Sequence, residues 1–442
     1  MSTGDLLGSA KSALLLAKKH GASDASATVS ADREIETTWR DGKIEKVSEA
    51  ASRQLAIALY VDGKFGSMTT SDLRPDALDR FVGDAVALVR ALAKDPYRKL
   101  PDPALYAGRT TQDLQLFDPS IDARTADARL AVVKAREEGA RSGRGHERIT
   151  TVTTSASDNL SEMARVTTNG FEGSYRSSSC GIDASVSIKD DDGRRPEDEA
   201  GAFVRFASDL PDAHALGREA TERATGRLGA KKVASGTMPM LVEARAAGGL
   251  LRHLLGPLRG SALQQKQSFL DGKLGAAVAS KAFTLTDEPW RPRGLASRPF
   301  DSEGIATKTR PVLEAGVLRT FFLDVYYAAK MNTKPTTGST TNLVVAPGKK
   351  SLDALAKDMK NGILVTSFLG GNSNSTTGIF SLGLSGYRIA NGERVDAIGE
   401  MNLSGSHLDF WKKLTAVGND PYPYSSLLSP SLLFDGVSIA GT

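Results

Sequence analysis

Histidine is the scarcest chemically useful side chain in this sequence: His20, His146, His214, His253 and His407 are all that its 442 residues contain. No two of them stand four apart, so the H-E-x-x-H arrangement that sets two imidazoles on one zinc ion is absent. Each reads as a surface or capping histidine. Ser404, Ser406, His407 and Asp409 crowd together in sequence. A serine hydrolase needs nucleophile, base and orienting acid together in space, which adjacency alone does not supply, and no G-x-S-x-G elbow is present. Cys180, between Ser179 and Gly181 in a strand-like run, reads as packing rather than as a nucleophile. The glycines of FLGGNSNSTTG and SLGLSG match neither the phosphate loop nor the dinucleotide fingerprint. Tight turns and close backbone approach account for them. Asp301 and Glu303 in RPFDSEG share one face of an extended segment, a spacing open to proton-transfer work. The plainer expectation for them is an exposed or salt-bridged turn. Residue chemistry by itself thus offers no competent catalytic constellation.

The elements that would position these residues follow from periodicity. Leu6, Ala10, Ala13, Leu14 and Ala17 fall at helical spacing over Asp5 to Lys19, closed by His20-Gly21. Strands are expected at Ser26–Trp39, Lys43–Glu49, Arg53–Val61 and Lys64–Thr69. The Asp41-Gly42 and Asp62-Gly63 pairs mark hairpin turns. A helix is expected from Arg74 to Lys94, capped by Asp72, with Leu78, Phe81, Val82, Ala85 and Val89 buried. Pro96, Pro101, Pro103 and Pro119 make 95–120 a connector. A helix over Ala123–Arg141 precedes strands over Arg148–Asp209, whose charged Lys189–Glu199 tip reads as a solvated hairpin end. Asp212 to Gly229 forms a further helix. Beyond the Gly229–Gly236 boundary glycine and serine rise and short strands dominate. The fold class is α+β, with an N-terminal domain over 1–232 (helix, hairpins, long helices and a β meander) and a β-rich domain over 233–442.

Bulk properties narrow the function. Lys plus Arg number 56 against 52 Asp plus Glu; a net charge of +4 without clustering gives little electrostatic support for nucleic-acid binding. One cysteine excludes an internal disulfide and a cysteine-cluster metal site, and suits a reducing compartment. The N-terminal apolar run Ala13–Ala17 is too short for a signal peptide, and no stretch approaches the roughly 20 residues that span a bilayer. A cytoplasmic protein is expected.

Nearly the whole chain resembles the TldD/PmbA family of metallopeptidases, and more closely its PmbA (TldE) branch. The resemblance rests on QSFLDGKLG (267–275), FTLTDEPW (283–290), FDSEG (300–304), TNLVVAPG (341–348) and GILV (362–365). It continues in GGNSNSTTGIFSLGLSGYRIANGE (370–393), AVGND (416–420), PSLLFDG (430–436) and, near the N-terminus, WRDGKIEKV (39–47) and VDGKFG (61–66). In the similar TldD branch, H-E-x-x-x-H follows a G-L-L sequence on a helix; two histidines and a later cysteine hold zinc, and the glutamate acts as base. Here Gly249-Leu250-Leu251 is followed by Arg252 in place of the first histidine, His253 in place of the glutamate and Pro257 in place of the second histidine. The later cysteine is missing. Arginine offers no lone pair and proline no ligand, so the resemblance implies no catalytic residue and no metal held by this chain. It implies instead a TldD-type partner that brings the zinc, the two chains enclosing a cavity that accepts small or unfolded peptides. Ser268, Phe269, Asp301, Glu303, Gly370, Gly371 and Asn372 are the expected contributors to that cavity wall. A stand-alone homodimeric binding or scaffold protein is the alternative.

Overall fold

The computed structural model describes residues 3–442. In chain order its N-terminal half runs α1 (Thr3–Lys19), β1 (Asp24–Arg40), β2 (Lys43–Val61), β3 (Lys64–Thr70), α2 (Pro75–Arg90), α3 (Pro119–Asp122), α4 (Ala126–Ser142), β4 (Ile149–Thr167), β5 (Glu172–Ile188), β6 (Glu197–Val204) and α5 (Ala213–Thr225). The six strands form one antiparallel sheet in the order β3-β2-β1-β4-β5-β6. Asp41, Gly42, Asp62 and Gly63 all have positive φ, the backbone that tight hairpins with strand-matching twist require.

Side chains alternate across each strand, and that period assigns the faces. Ala27, Val29, Leu55, Ile57, Ala164 and Val166 pack with Leu6, Ala10, Ala13 and Ala17 of α1 and with Leu78, Val82 and Val89 of α2. Farther along the same face of β4, Val152 packs with Ile182, Ala184 and Val186 of β5 against Ala140 of α4 and Leu216 and Ala220 of α5. Helices α4 and α5 touch through glycine: a Cβ on Gly217 would lie 2.1 Å from the Arg136 carbonyl oxygen. The opposite face carries Ser157, Gly181, Asp183 and Phe203 and is left for other contacts.

The C-terminal half runs β7 (Gly236–Val242), α6 (Ala244–Leu255), α7 (Gly260–Gln264), β8 (Leu285–Asp287), β9 (Arg310–Glu314), β10 (Val317–Leu318), α8 (Val325–Lys330), β11 (Leu343–Val345) and α9 (Leu352–Met359). It ends with β12 (Gly362–Ser373), β13 (Ile379–Ala390), β14 (Glu393–Ser406), α10 (His407–Phe410), β15 (Leu414–Val417), β16 (Leu427–Leu428) and β17 (Leu432–Ala440). One sheet has the order β14-β13-β12-β7-β17-β15, and a β14–β17 pairing closes it on itself. A second, smaller sheet is ordered β10-β9-β8-β11-β16. Phe283, Phe322, Phe434, Trp411 and Leu250 belong to the single large core between them. The α+β class is therefore as expected, with long helices in the N-terminal half and short ones after it.

Three expectations are corrected. The two strands over 43–49 and 53–61 are one strand of 19 residues, because its exposed middle still pairs with β1 throughout. Asp72 does not cap α2: Arg74 stands at the cap without a side-chain bond, and Asp72 instead accepts from the Arg74 backbone and guanidinium. The charged tip over 189–199 is not simply solvated. Asp190 and Asp198 are buried; Asp190 accepts from the Gly229 N–H, and Asp198 faces Arg223. Among the described residues no helix is long and apolar enough to cross a membrane.

Candidate functional site

Helix α6 carries the motif positions. Ala247, Leu250, Leu251 and Leu254 form its buried stripe, while Arg245, Gly248, Gly249 and Arg252 recur at the same spacing on the other side. That second face lines a cleft with two lobes. The first, of about 390 Å³, is bounded by Ser157, Gly181, Asp183, Gly201 and Phe203 of the helix-free face of the N-terminal sheet, and by Tyr422, Tyr424 and Leu427. The second, of about 580 Å³, adds Arg223, Arg227, Thr366, Ser367 and Phe368. Glu199, Arg245, Gly249 and Arg252 border both.

Ion pairs fasten the cleft walls. Arg223 of α5 reaches Glu243, the residue before α6, at 2.8 Å and Asp198 of β6 at 3.3 Å, and donates to the Thr366 carbonyl at 3.2 Å. Arg245 pairs with Glu199 at 3.3 Å, and the Tyr422 hydroxyl donates to the Gly201 carbonyl at 2.9 Å. Strand β7 pairs with β12 only over Ile363–Val365. Beyond Val365 that flank of β12 meets no further strand among the described residues and faces the second lobe.

His253 points elsewhere. Its ring lies 5.8 Å from that of His407, and burial, then the Arg252 charge, lowers its pKa. His407 is 1% exposed, sandwiched with the Phe269 ring at 5.4 Å and the Phe380 ring at 4.6 Å. This corrects the surface-or-cap reading for His407: it is a core histidine. Its Nε2 is 2.9 Å from the Ser373 Oγ, and its Nδ1 has no partner among the described residues. Burial pushes its pKa down to about 4, with His253 contributing, so it stays neutral and is a weak base at neutral pH. Ser404 and Asp409 are exposed and make no hydrogen bond to it. The hydroxyl beside His407 comes from β12, and the Ser404/His407/Asp409 grouping is not brought together.

The expected wall residues separate into two places. The Ser268 Oγ donates to the Pro257 carbonyl and accepts from the Leu270 N–H, setting the turn that presents Phe269 to His407. Gly370, Gly371 and Asn372 lie exposed at the end of β12. The β12–β13 register shifts between Phe368 and Gly371, and Gly370 and Gly371 hold φ of 81° and 131°, a bulge that only glycine takes without strain. Asp301 and Glu303 lie apart, where Phe300 packs on Phe171 and Tyr175 of the N-terminal sheet. They are neither exposed nor salt-bridged, contrary to expectation. Asp301 is buried and accepts from the N–H groups of Glu303, Ile305 and Gly338, while Glu303 accepts from the Val325 N–H at 2.9 Å. The loop turns inward because backbone donors satisfy its carboxylates.

Burial raises the Glu303 pKa to about 7. A carboxyl raised above its unfolded value favours the fold below about pH 4.5, and that contribution fades as pH rises towards 7. Glu303→Gln keeps the acceptor for Val325. It should raise stability by about 3 kcal/mol at pH 8 and by much less at pH 4.5, read from denaturant midpoints at the two pH values. Equal shifts at both would count against a titrating Glu303.

Arg245, Tyr422, Tyr424 and Phe203 carry no sequence signal of a shared site, because they converge on the first lobe from segments far apart in the chain. The chain matches the PmbA/TldA metallopeptidase domain 1 over residues 25–89, the central domain over 115–228 and the C-terminal domain over 235–441. It is 31% identical to metalloprotease PmbA of Escherichia coli O157:H7 over 426 residues, 95% of this chain and 93% of that one. A candidate modulator of DNA gyrase from Bacteroides thetaiotaomicron superposes with a TM-score of 0.94 at 37% identity, over 98% of each chain. TldE from Thermococcus kodakarensis shares the fold, with a TM-score of 0.88 at 18% identity over 98% of this chain and 100% of that one. The chain belongs to the PmbA/TldD metallopeptidase family.

That family implies a metal, and the residues at the motif do not fit one. Arg252 cannot donate a lone pair, Pro257 has no donor, and His253 turns towards a buried aromatic cluster. Among the described residues no group of three or more His, Cys, Asp or Glu is placed to hold an ion.

Proposed function

We propose that this chain is the subunit of a TldD/TldE-type heterodimeric peptidase that brings no metal of its own. A TldD-type partner supplies the zinc and the reacting groups; this chain completes the cavity and helps hold small or unfolded peptides during their maturation or breakdown. The observation that carries the reading is the donor set on and after α6, where Arg252, His253 and Pro257 stand at the three motif positions. Zinc hydrolysis takes three protein ligands and an open position for water, and those positions offer at most one. The flank of β12 past Val365 supports a peptide-holding role, since an extended peptide added to an open strand edge is held by main-chain bonds that tolerate many sequences. The single Cys180, buried in β5 and with its thiol pushed up to about 11 by burial, suits a reducing cytoplasm.

The test is purification of the chain alone, and together with a TldD-type chain, after metal-replete expression. Zinc near zero per chain and no hydrolysis of an unstructured peptide are expected alone, with stable pairing and hydrolysis when the partner is present. Zinc near one per chain together with hydrolysis by the single chain would overturn the reading. A homodimer that ignores the partner would favour the scaffold alternative.

A further inference from the structure

We propose that Arg252 anchors a carboxylate-binding site for peptides at the junction of the two cleft lobes; the inference rests on the peptide-holding role proposed above. Four arginines line the cleft. Arg223 is matched by Glu243 and Asp198, Arg227 by Asp198 and Arg245 by Glu199. Arg252 is exposed and, among the described residues, has neither an ion pair nor a hydrogen bond. The carboxylates that border the second lobe, Glu197, Asp198 and Glu199, all sit on β6, and Asp198 and Glu199 are engaged by the other three guanidinium groups. An incoming anion therefore finds one uncommitted guanidinium, whose planar fork takes a carboxylate through two parallel N–H···O bonds.

The approach to Arg252 is open. A Cβ placed on Gly248 would meet nothing closer than Leu427 at 3.8 Å, and one on Gly249 nothing closer than Phe368 at 3.7 Å. A peptide backbone can thus lie across this glycine pair, one helical turn from the guanidinium, with the flank of β12 at Ser367–Phe368, which no other strand among the described residues pairs, on one side. On the other side Phe203, which is 38% exposed, and the edge-to-face pair Tyr422 and Tyr424, with rings 5.5 Å apart, give an apolar or aromatic neighbouring side chain a surface. The ligand class is an extended peptide bearing a carboxylate beside an apolar residue. Its carboxylate is either the C-terminus or an acidic side chain.

Fluorescence anisotropy on the full chain separates these. The probes are an N-terminally labelled Ala-Ala-Tyr-Ala-Ala pentapeptide as the free acid, the same peptide as its C-terminal amide, and an amide with one internal alanine changed to glutamate. The free acid or the glutamate peptide should bind roughly ten- to a hundredfold tighter than the neutral amide, the range carried by hydrogen bonds to a charged group. Whichever of the two does so identifies the source of the carboxylate. Arg252→Gln should erase that preference with an unchanged melting temperature, Arg252→Lys should keep part of it, and Gly248→Leu should weaken all three peptides by filling the lane. Equal binding of charged and neutral peptides, a preference that survives Arg252→Gln, or no binding at all would overturn the site. Partner-dependent hydrolysis that persists in any of those cases leaves the subunit role standing, whereas its absence in the wild-type pair counts against that role.

Discussion

Replacing Arg223 by Met should lower the unfolding free energy by about 3–5 kcal/mol, the cost of stripping the partner from a buried ion pair. Arg223 stands where α5, β6, the start of α6 and β12 meet, and its side chain is 17% exposed. Methionine fills much of the same volume but leaves Glu243 without its ion-pair partner and Asp198 with only Arg227, at 3.6 Å. Burial already pushes the Glu243 carboxyl up, so in the variant it would take a proton more readily still. Two readouts separate this from a packing defect. The cost should shrink at acid pH as the orphaned Glu243 carboxyl protonates, and Glu243→Gln added to Arg223→Met should recover part of the loss. Urea denaturation of the three proteins at pH 5 and pH 8 decides it; a loss under about 1 kcal/mol would mean the network contributes no more than a surface pair. The same variant should loosen the cleft, because this network fastens α6 to the edge strand of the N-terminal sheet.

The second large effect comes from His407. A histidine whose pKa falls from 6.5 in the unfolded chain to about 4 in the fold binds its proton only when unfolded across that window. Stability is unaffected above about pH 6.5 and falls as pH drops towards 4, by about 3 kcal/mol in all. Glu303 acts in the opposite direction over nearly the same range, so the wild-type profile is flatter than either contribution alone. Single variants expose them. In Glu303→Gln, stability should fall steeply from pH 7 to 4. In His407→Phe, which preserves the aromatic stack with Phe269 and Phe380 but cannot titrate, stability should instead rise as pH falls from 7 to 5. An NMR titration of the His407 ring in wild-type protein gives the same answer directly: a midpoint near 6.5 would contradict the burial argument.

Much of the local structure was legible. Asp41-Gly42 and Asp62-Gly63 announce hairpins because few other dipeptides accept positive φ at both turn positions. The stripe Leu6, Ala10, Ala13 and Ala17 announces α1 because a helix returns to the same face at that spacing. The errors share one cause. Lys43–Val61 looked like two strands because its middle is polar, yet continuous backbone pairing with β1 carries the strand through a stretch whose side chains face solvent. Asp190, Asp198, Asp301 and Glu303 looked exposed because carboxylates normally are, yet each found N–H groups or an arginine from a distant segment. His407 looked like a surface histidine because nothing near it in sequence says that Phe269 and Phe380 close over its ring.

The sequence by itself determined the donor set: Arg252 and Pro257 have no lone pair to give a zinc ion in any conformation, which leaves His253 as at most one ligand of the three required, since coordination chemistry belongs to the residue type. It also determined which face of each helix and strand is apolar, because that follows from periodicity. Only the tertiary structure decided what each face meets. The cleft over α6, the unmatched Arg252 among three matched arginines and the His407–Ser373 contact all depend on distant segments closing on one another, as far apart in sequence as the 221 residues between Tyr422 and Gly201. Periodicity reports that a side chain is buried; it carries no information on its partner, and the partner sets protonation and pairing.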